Sequence, residues 1–379
     1  MGIDAIWRAP AGFFPGAASV PVRFPRWQIV RPAPAPRADR GAAVRRAAAV
    51  ALVASALAAG AHAAPDQPPQ RGPALDAASE DRILALDPAS LSEQDVREVL
   101  SRSPAPRIIN LQGSVPVVTM APFAEFLVAM GYPREQLRNP DGGSFTYSSY
   151  VDARRLAGTL AWYYEREGMM PMLIGHSQGG MIAIRVLYEL AGDFGDSLPV
   201  WNPRRDAPED RTTIVDPLRG GQRSVVGLQV PYVAVLATGK LPRLLLGQWS
   251  MLARLRAIPD TVEEFTGFSL EWDPIAGNFG TADAYEATGS AHVRNVTLPA
   301  AAGHLTLPLA KDLALDPVTR AWINHYVPGT GTPELPTDTG LEVANLLHAA
   351  DIWYSVKKHW CLEAQQLIRA RRGHDLPLQ

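Results

Sequence analysis

Residues 170–180 read Met-Pro-Met-Leu-Ile-Gly-His-Ser-Gln-Gly-Gly. A short apolar run, Met170–Ile174, predicts a buried strand that stops at Gly175. From residue 178 to 191 the apolar residues recur at helical spacing. Between them, Gly175-His176-Ser177-Gln178-Gly179-Gly180 satisfies G-x-S-x-G. A strand running into a tight turn and a helix leaving it is the layout of a nucleophile elbow. The turn needs glycine because strand and helix backbones approach closely. It lifts Ser177 above the sheet edge, at a helix N-terminus that favours developing negative charge. The plain alternative is a Gly-rich strand-to-helix turn with no chemistry.

Working outward, apolar strands are predicted at 107–111, 232–236, 268–272 and 293–298. Helices are predicted at 120–130, 151–167 and about 341–370. Short apolar strands alternating with helices predict an α/β fold, its mostly parallel sheet covered on both faces. Ser92-Glu93-Gln94-Asp95 reads as a capping box opening a short helix. Two stretches break the alternation. Residues 193–224 are polar and rich in Pro and Arg, and residues 240–265 read as an amphipathic helix carrying Leu, Trp and Met.

The formal charge of −2 over 379 residues conceals a split. Residues 1–46 hold eight Arg against Asp4 and Asp39, a net of +6, and the body carries about −8. Residues 47–59 are uncharged and apolar, preceded by Arg45-Arg46 and followed by Ala61-His62-Ala63. This is the layout of a secretory signal peptide, cleaved after Ala63. An uncleaved anchor and a buried Ala-rich helix are the alternatives. The run is short for a membrane span, which needs about 20 apolar residues. The long Pro- and Arg-rich stretch before Val44 suggests a translation start near that residue. The expected organisation is therefore an N-terminal extension and signal at 1–63, a linker at 64–80 and one domain at 81–379. The chain is expected to be exported, periplasmic or secreted, with no stable membrane span after cleavage. One cysteine excludes an internal disulfide framework, and Cys361 reads as a small buried hydrophobe. The charge balance gives no footprint for nucleic acid.

Around its GHSQGG hexapeptide the chain resembles the α/β-hydrolase superfamily, in particular a bacterial secreted lipase/esterase-like branch. The likeness spans about residues 105–327, with 193–224 and 240–265 as possible cap segments and 341–370 as a C-terminal helical extension. It implies a Ser–acid–His triad in that chain order. Of eight histidines, His304 lies in a Gly-His pair after the last predicted strand, where the family places its base. His62, His292, His325, His348, His359 and His374 lie elsewhere, and His176 is expected to turn away from the catalytic face. Asp273 follows the penultimate strand and is the expected acid. Glu271 is its main rival, Asp283 a lesser one, and a turn-forming Asp before Pro274 the plain alternative. The resemblance further implies oxyanion donors at the backbone N–H of Gln178 and of Ser114. The chain has Gln112-Gly113 where many members have His-Gly, which bears on how that loop is anchored.

The implied activity is hydrolysis of carboxylic esters, on a small-molecule or lipid ester substrate. Thioester, amide and polyester cleavage remain open on the same triad, as does a non-catalytic binding module. Segment 240–265 is either a lid or a plain sheet-covering helix. As a lid, its Leu245, Trp249 and Met251 would face the acyl chain. No cofactor or metal is expected, since neither HExxH nor a phosphate-binding loop occurs.

Overall fold

Five strands, β1 (Ile108–Leu111), β2 (Met172–His176), β3 (Val230–Leu236), β4 (Val262–Leu270) and β5 (His292–Leu298), pair side by side in chain order in the computed structural model. Every pairing in this sheet is parallel, from Ile108 opposite Met172 to Leu298 opposite Leu270. The structure describes residues 75–140, 142–280, 283–299, 303–330 and 340–374. They fall in one compact unit, 67–379. The leader at 1–63 lies outside the described residues.

The sheet is apolar on both faces because strand side chains alternate. Ile108, Met172, Ile174, Tyr232, Ala234 and Leu236 enter one core. Ile109, Leu111, Leu173, Val233 and Val235 enter the other. Eight α-helices are described: α1 (Ala77–Leu84), α2 (Glu93–Glu98), α3 (Ala121–Ala129), α4 (Ala153–Glu167), α5 (Gln178–Ala191), α6 (Leu241–Leu245), α7 (Pro317–His325) and α8 (Gly340–His374). The face with Leu173 is covered by α4 and α5, and the face with Met172 by α3 and α8. Helix bounds follow local chemistry. Asp152 caps α4 by accepting from Arg155 N at 2.8 Å, and left-handed Gly168 stops it. Ser92 and Asp95 form the reciprocal capping box that opens α2.

Three expectations about layout are corrected. The C-terminal helix is no extension but one wall of the core, with Ile352, Trp353, Val356, Trp360 and Cys361 fully buried. Burial pushes the Cys361 thiol up to about 12. This docking was not legible because its partner residues lie about a hundred positions upstream. Glu264 of β4 accepts from Ser355 Oγ (2.6 Å), Lys358 Nζ (2.8 Å) and His359 Nε2 (3.2 Å) of α8. It also accepts from Arg294 of β5 (3.0 Å), whose other Nη reaches Asp351 at 2.8 Å.

The 240–265 segment is not one amphipathic helix. Helix α6 ends within five residues, Gly247 follows with φ +68°, a 3-10 turn spans Trp249–Met251, and β4 has begun by Val262. The left-handed glycine breaks the helical period that the Leu spacing suggested.

The 193–224 segment forms two small antiparallel ladders, Trp201–Asn202 with Ala207–Pro208 and Thr213–Val215 with Gln222–Ser224. They pack along α4, from Arg155–Asp206 and Arg155 over the Trp201 ring to Trp162–Glu209, Arg211–Glu165 and Tyr164–Asp216. Finally, the expected 64–80 linker ends earlier, because Asp76 caps α1 at Ala77. No helix among the described residues is long and apolar enough to cross a membrane.

Candidate active site

Ser177 sits between the end of β2 and the first turn of α5 with φ +52° and ψ −113°. A positive φ on a residue with a Cβ is strained, by roughly 1–3 kcal/mol, and persists only where surroundings enforce it. Here they do. Ser177 N donates to Leu236 O of β3 at 2.8 Å, and its carbonyl accepts from Thr238 Oγ1 at 3.0 Å and Gly180 N at 3.2 Å. The glycines keep the turn tight. A Cβ on Gly175 would lie 2.5 Å from Gly180 N, and one on Gly179 would lie 2.2 Å from Leu111 O. The serine is half-buried.

His304 follows β5 and Asp273 follows β4, on the neighbouring strand. Nδ1–H of His304 donates to Asp273 Oδ2 at 2.7 Å, with both side chains almost wholly buried. That bond fixes the tautomer and leaves the Nε2 lone pair free to take a proton. Asp273 Oδ1 accepts from Ala276 N at 3.0 Å, so the acid also nucleates the turn that runs through Pro274. One carboxylate thus both holds the His304 ring and forms the turn. Both rivals point elsewhere. Glu271 is exposed, and Asp283 is exposed and paired with Lys240.

The described hydrogen bonds tie His304 to Asp273 and to His176, and none joins its Nε2 to Ser177 Oγ. Nucleophile–base pairs are commonly long in the free enzyme and close on the substrate. The elbow is linked to His304 through the side chain of His176 instead. Nε2–H of His176 donates to the His304 carbonyl at 2.8 Å, with the two rings 5.0 Å apart. Burial, with the neighbouring His304, pushes the His176 imidazole down to about 3, so it is neutral with the proton on Nε2. The expectation that His176 turns away is thus corrected. It braces the loop carrying His304, a role invisible at sequence level because the middle position of G-x-S admits any residue.

The loop after β1 lies against the serine. A Cβ on Gly113 would stand 3.3 Å from Ser177 Cβ and 3.0 Å from His176 Nδ1. Ser114, half-buried, comes next. Gln112 is anchored. Its N–H donates to Tyr147 O at 3.1 Å and its Oε1 accepts from Thr146 Oγ1 at 3.2 Å. The turn-rich segment 139–148 therefore holds this loop. Gln178 is the first residue of α5, so no intrahelical carbonyl can reach its N–H.

Of the expected acyl-facing residues, Trp249 is 63% exposed, and Leu244 and Leu246 just before it are exposed too. Met251 is corrected: it is fully buried with Leu255 and Ile258 in the core under α5. The side chain of Leu245 lies outside the described residues. A wider apolar rim escaped the sequence reading. Val115 and Val117 after β1, Trp272, Ile275 and Phe279 after β4, and Leu305 and Leu309 after β5 are all exposed. Each lies on a loop at the carboxyl edge of the sheet, as do Ser177, Asp273 and His304. Isolated exposed apolar residues are ordinary, but a set gathered on one edge marks a contact surface.

No protein-family model matches the chain, and no curated protein matches it. One solved structure, "RedJ with PEG molecule bound in the active site", aligns at 15% identity over 59% of this chain and 91% of its own, with a TM-score of 0.24. A likeness that slight carries no weight for fold or function.

Proposed function

We propose that the chain is an α/β-hydrolase-type serine esterase acting on carboxylic esters with apolar acyl groups. The observation that carries the proposal is a strained Ser177 and a buried His304–Asp273 pair at the carboxyl ends of β2, β5 and β4 of one parallel sheet, joined through His176. Strain concentrates where chemistry requires it.

In this mechanism His304 Nε2 takes the Ser177 Oγ proton as Oγ bonds to the acyl carbon. The carbonyl oxygen becomes an oxyanion held by the N–H of Gln178 and the N–H at Ser114. Asp273 stabilises the imidazolium. The C–O bond to the alcohol then breaks, and His304 returns the proton to the leaving alkoxide. Water, deprotonated by the same histidine, cleaves the acyl-enzyme to release the acid and restore Ser177. Losing one oxyanion donor typically costs about 10²–10³ in rate.

The exposed rim of Trp249, Trp272 and Phe279 favours long or polymeric apolar esters, so a polyester belongs among the substrates tested. Export forms part of the same proposal, resting on the Arg45-Arg46, 47–59 and Ala61–Ala63 layout. A series of p-nitrophenyl esters from acetate to laurate tests the acyl preference. Trp249→Ala is expected to lower kcat/KM on laurate about tenfold, the size of one partly lost apolar contact, and to leave acetate nearly unchanged. An equal fall on both would assign Trp249 a scaffold role and remove the apolar-acyl element.

A further inference from the structure

Arg243, on α6, is only 1% exposed and ranks among the largest fully buried side chains. One of its terminal nitrogens, Nη1, donates to two neutral oxygens, Oε1 of Gln178 and Oε1 of Gln248. Its Nε is buried without a hydrogen-bond partner. Among the described residues no carboxylate pairs with it, in contrast to Arg107, Arg211 and Arg294. Burial pushes the guanidinium down to about 10, which leaves it fully charged at neutral pH.

Burying a cation without a counter-charge costs several kcal/mol. Two amide oxygens supply dipoles, not a balancing charge. The question is which state of the protein supplies one. Gln178 answers it, since the residue that Arg243 grips by its side chain offers its backbone N–H to the developing oxyanion. A neutral ester in the ground state gives Arg243 nothing to neutralise. A tetrahedral intermediate places a full negative charge one residue away, in a site of low effective dielectric. An interaction realised only as charge develops raises kcat and leaves KM alone. The same contacts fix geometry. They tie the first residue of α5 to Gln248, just past the Gly247 turn, and so hold the 241–249 segment on the elbow.

We propose that Arg243 is a positioning residue of the oxyanion hole, clamping Gln178 and setting an unbalanced positive charge behind the donor. The inference rests on the esterase reading above.

The test compares wild type with Arg243→Met, Gln178→Met and the double variant on p-nitrophenyl butyrate and with a fluorophosphonate. Met at 243 is an apolar near-isostere, a replacement that buried ionic groups often tolerate without loss of stability. Arg243→Met is expected to lower kcat about ten- to a hundredfold, less than loss of a direct donor, with KM little changed and fluorophosphonate labelling slowed in parallel. Gln178→Met, which keeps its backbone N–H, should behave alike. The double variant should be no worse than either single, because the two side chains act as a unit. Wild-type kcat in Arg243→Met, a change confined to KM, or multiplying losses in the double variant would overturn the proposal. Should Arg243→Met fail to fold, Gln178→Met decides. It removes the amide that Arg243 grips and leaves the guanidinium, so a lowered kcat at unchanged KM supports the clamp and a wild-type kcat contradicts it. A wild type that does not label sinks the esterase reading and this inference together. A wild type that labels, beside an Arg243→Met variant that labels equally fast, sinks this inference alone.

Discussion

Asp273→Asn is expected to lower kcat for ester hydrolysis about 10⁴-fold at neutral pH, with the protein still folded. The substitution keeps the shape of the side chain and the oxygen that accepts from Ala276 N, so the turn through Pro274 survives. It replaces the oxygen facing His304 Nδ1 by an N–H2 donor. His304 must then present a bare Nδ1 to that donor and carry its proton on Nε2, the nitrogen that should accept from Ser177. The imidazolium that forms as Ser177 attacks also loses its buried counter-charge. Substrate contacts are untouched, so KM should barely move. Glu271→Gln serves as the control, since Glu271 is exposed and two positions away. It should change kcat less than about threefold, in keeping with a solvated surface side chain. Steady-state kinetics of both variants decide between the carboxylates. A loss under tenfold in Asp273→Asn, or a larger loss in Glu271→Gln, would reassign the acid.

The largest expected effect on stability lies on the far face of the sheet. Glu264→Ala should cost about 1.5–3 kcal/mol, because it removes the carboxylate shared by buried Ser355 and His359 and half-buried Arg294 and Lys358, although Arg294 keeps Asp351. Equilibrium urea unfolding of wild type and variant measures the loss directly. A cost under 1 kcal/mol would mean that apolar contacts of Trp353 and Trp360 alone dock α8. The same residue gives a signed pH dependence. Burial by itself would raise the Glu264 carboxyl, but hydrogen bonds from His359, Lys358 and Ser355 outweigh it and hold the group well below the usual carboxylate range. A carboxyl depressed in the folded state adds stability that is complete above its unfolded value, near 4.5, and is lost as pH falls below it. The stability gap between wild type and Glu264→Ala should therefore narrow on acidification below about pH 4.5. A gap that widens would contradict the network.

What the sequence made legible was local. The 170–180 run announces strand, turn and helix within eleven residues, and each strand announces itself by a short apolar run. Asp273 and His304 follow from where those strands end, given the family resemblance. What stayed illegible depends on distant partners. Nothing near 340–374 says that its Ser355, Lys358 and His359 meet Glu264, so a core wall read as an extension. Nothing in Arg243 distinguishes the polar face of a helix from a charge buried against Gln178. The Leu spacing of 240–252 suggested a longer helix than Gly247 permits. His176 shows the same limit, since its contact with the His304 carbonyl joins residues 128 positions apart. The apolar rim belongs to four separate loops and becomes one surface only when the sheet brings their carboxyl ends together.

The central claim is that Ser177 is a nucleophile activated in place. The most direct measurement is the mass of the protein after reaction with a fluorophosphonate, followed by mapping of the modified peptide, on wild type and Ser177→Ala. The account predicts one adduct per chain, on Ser177, and none on the alanine variant. An unmodified wild type, or an adduct that persists in Ser177→Ala, would contradict it.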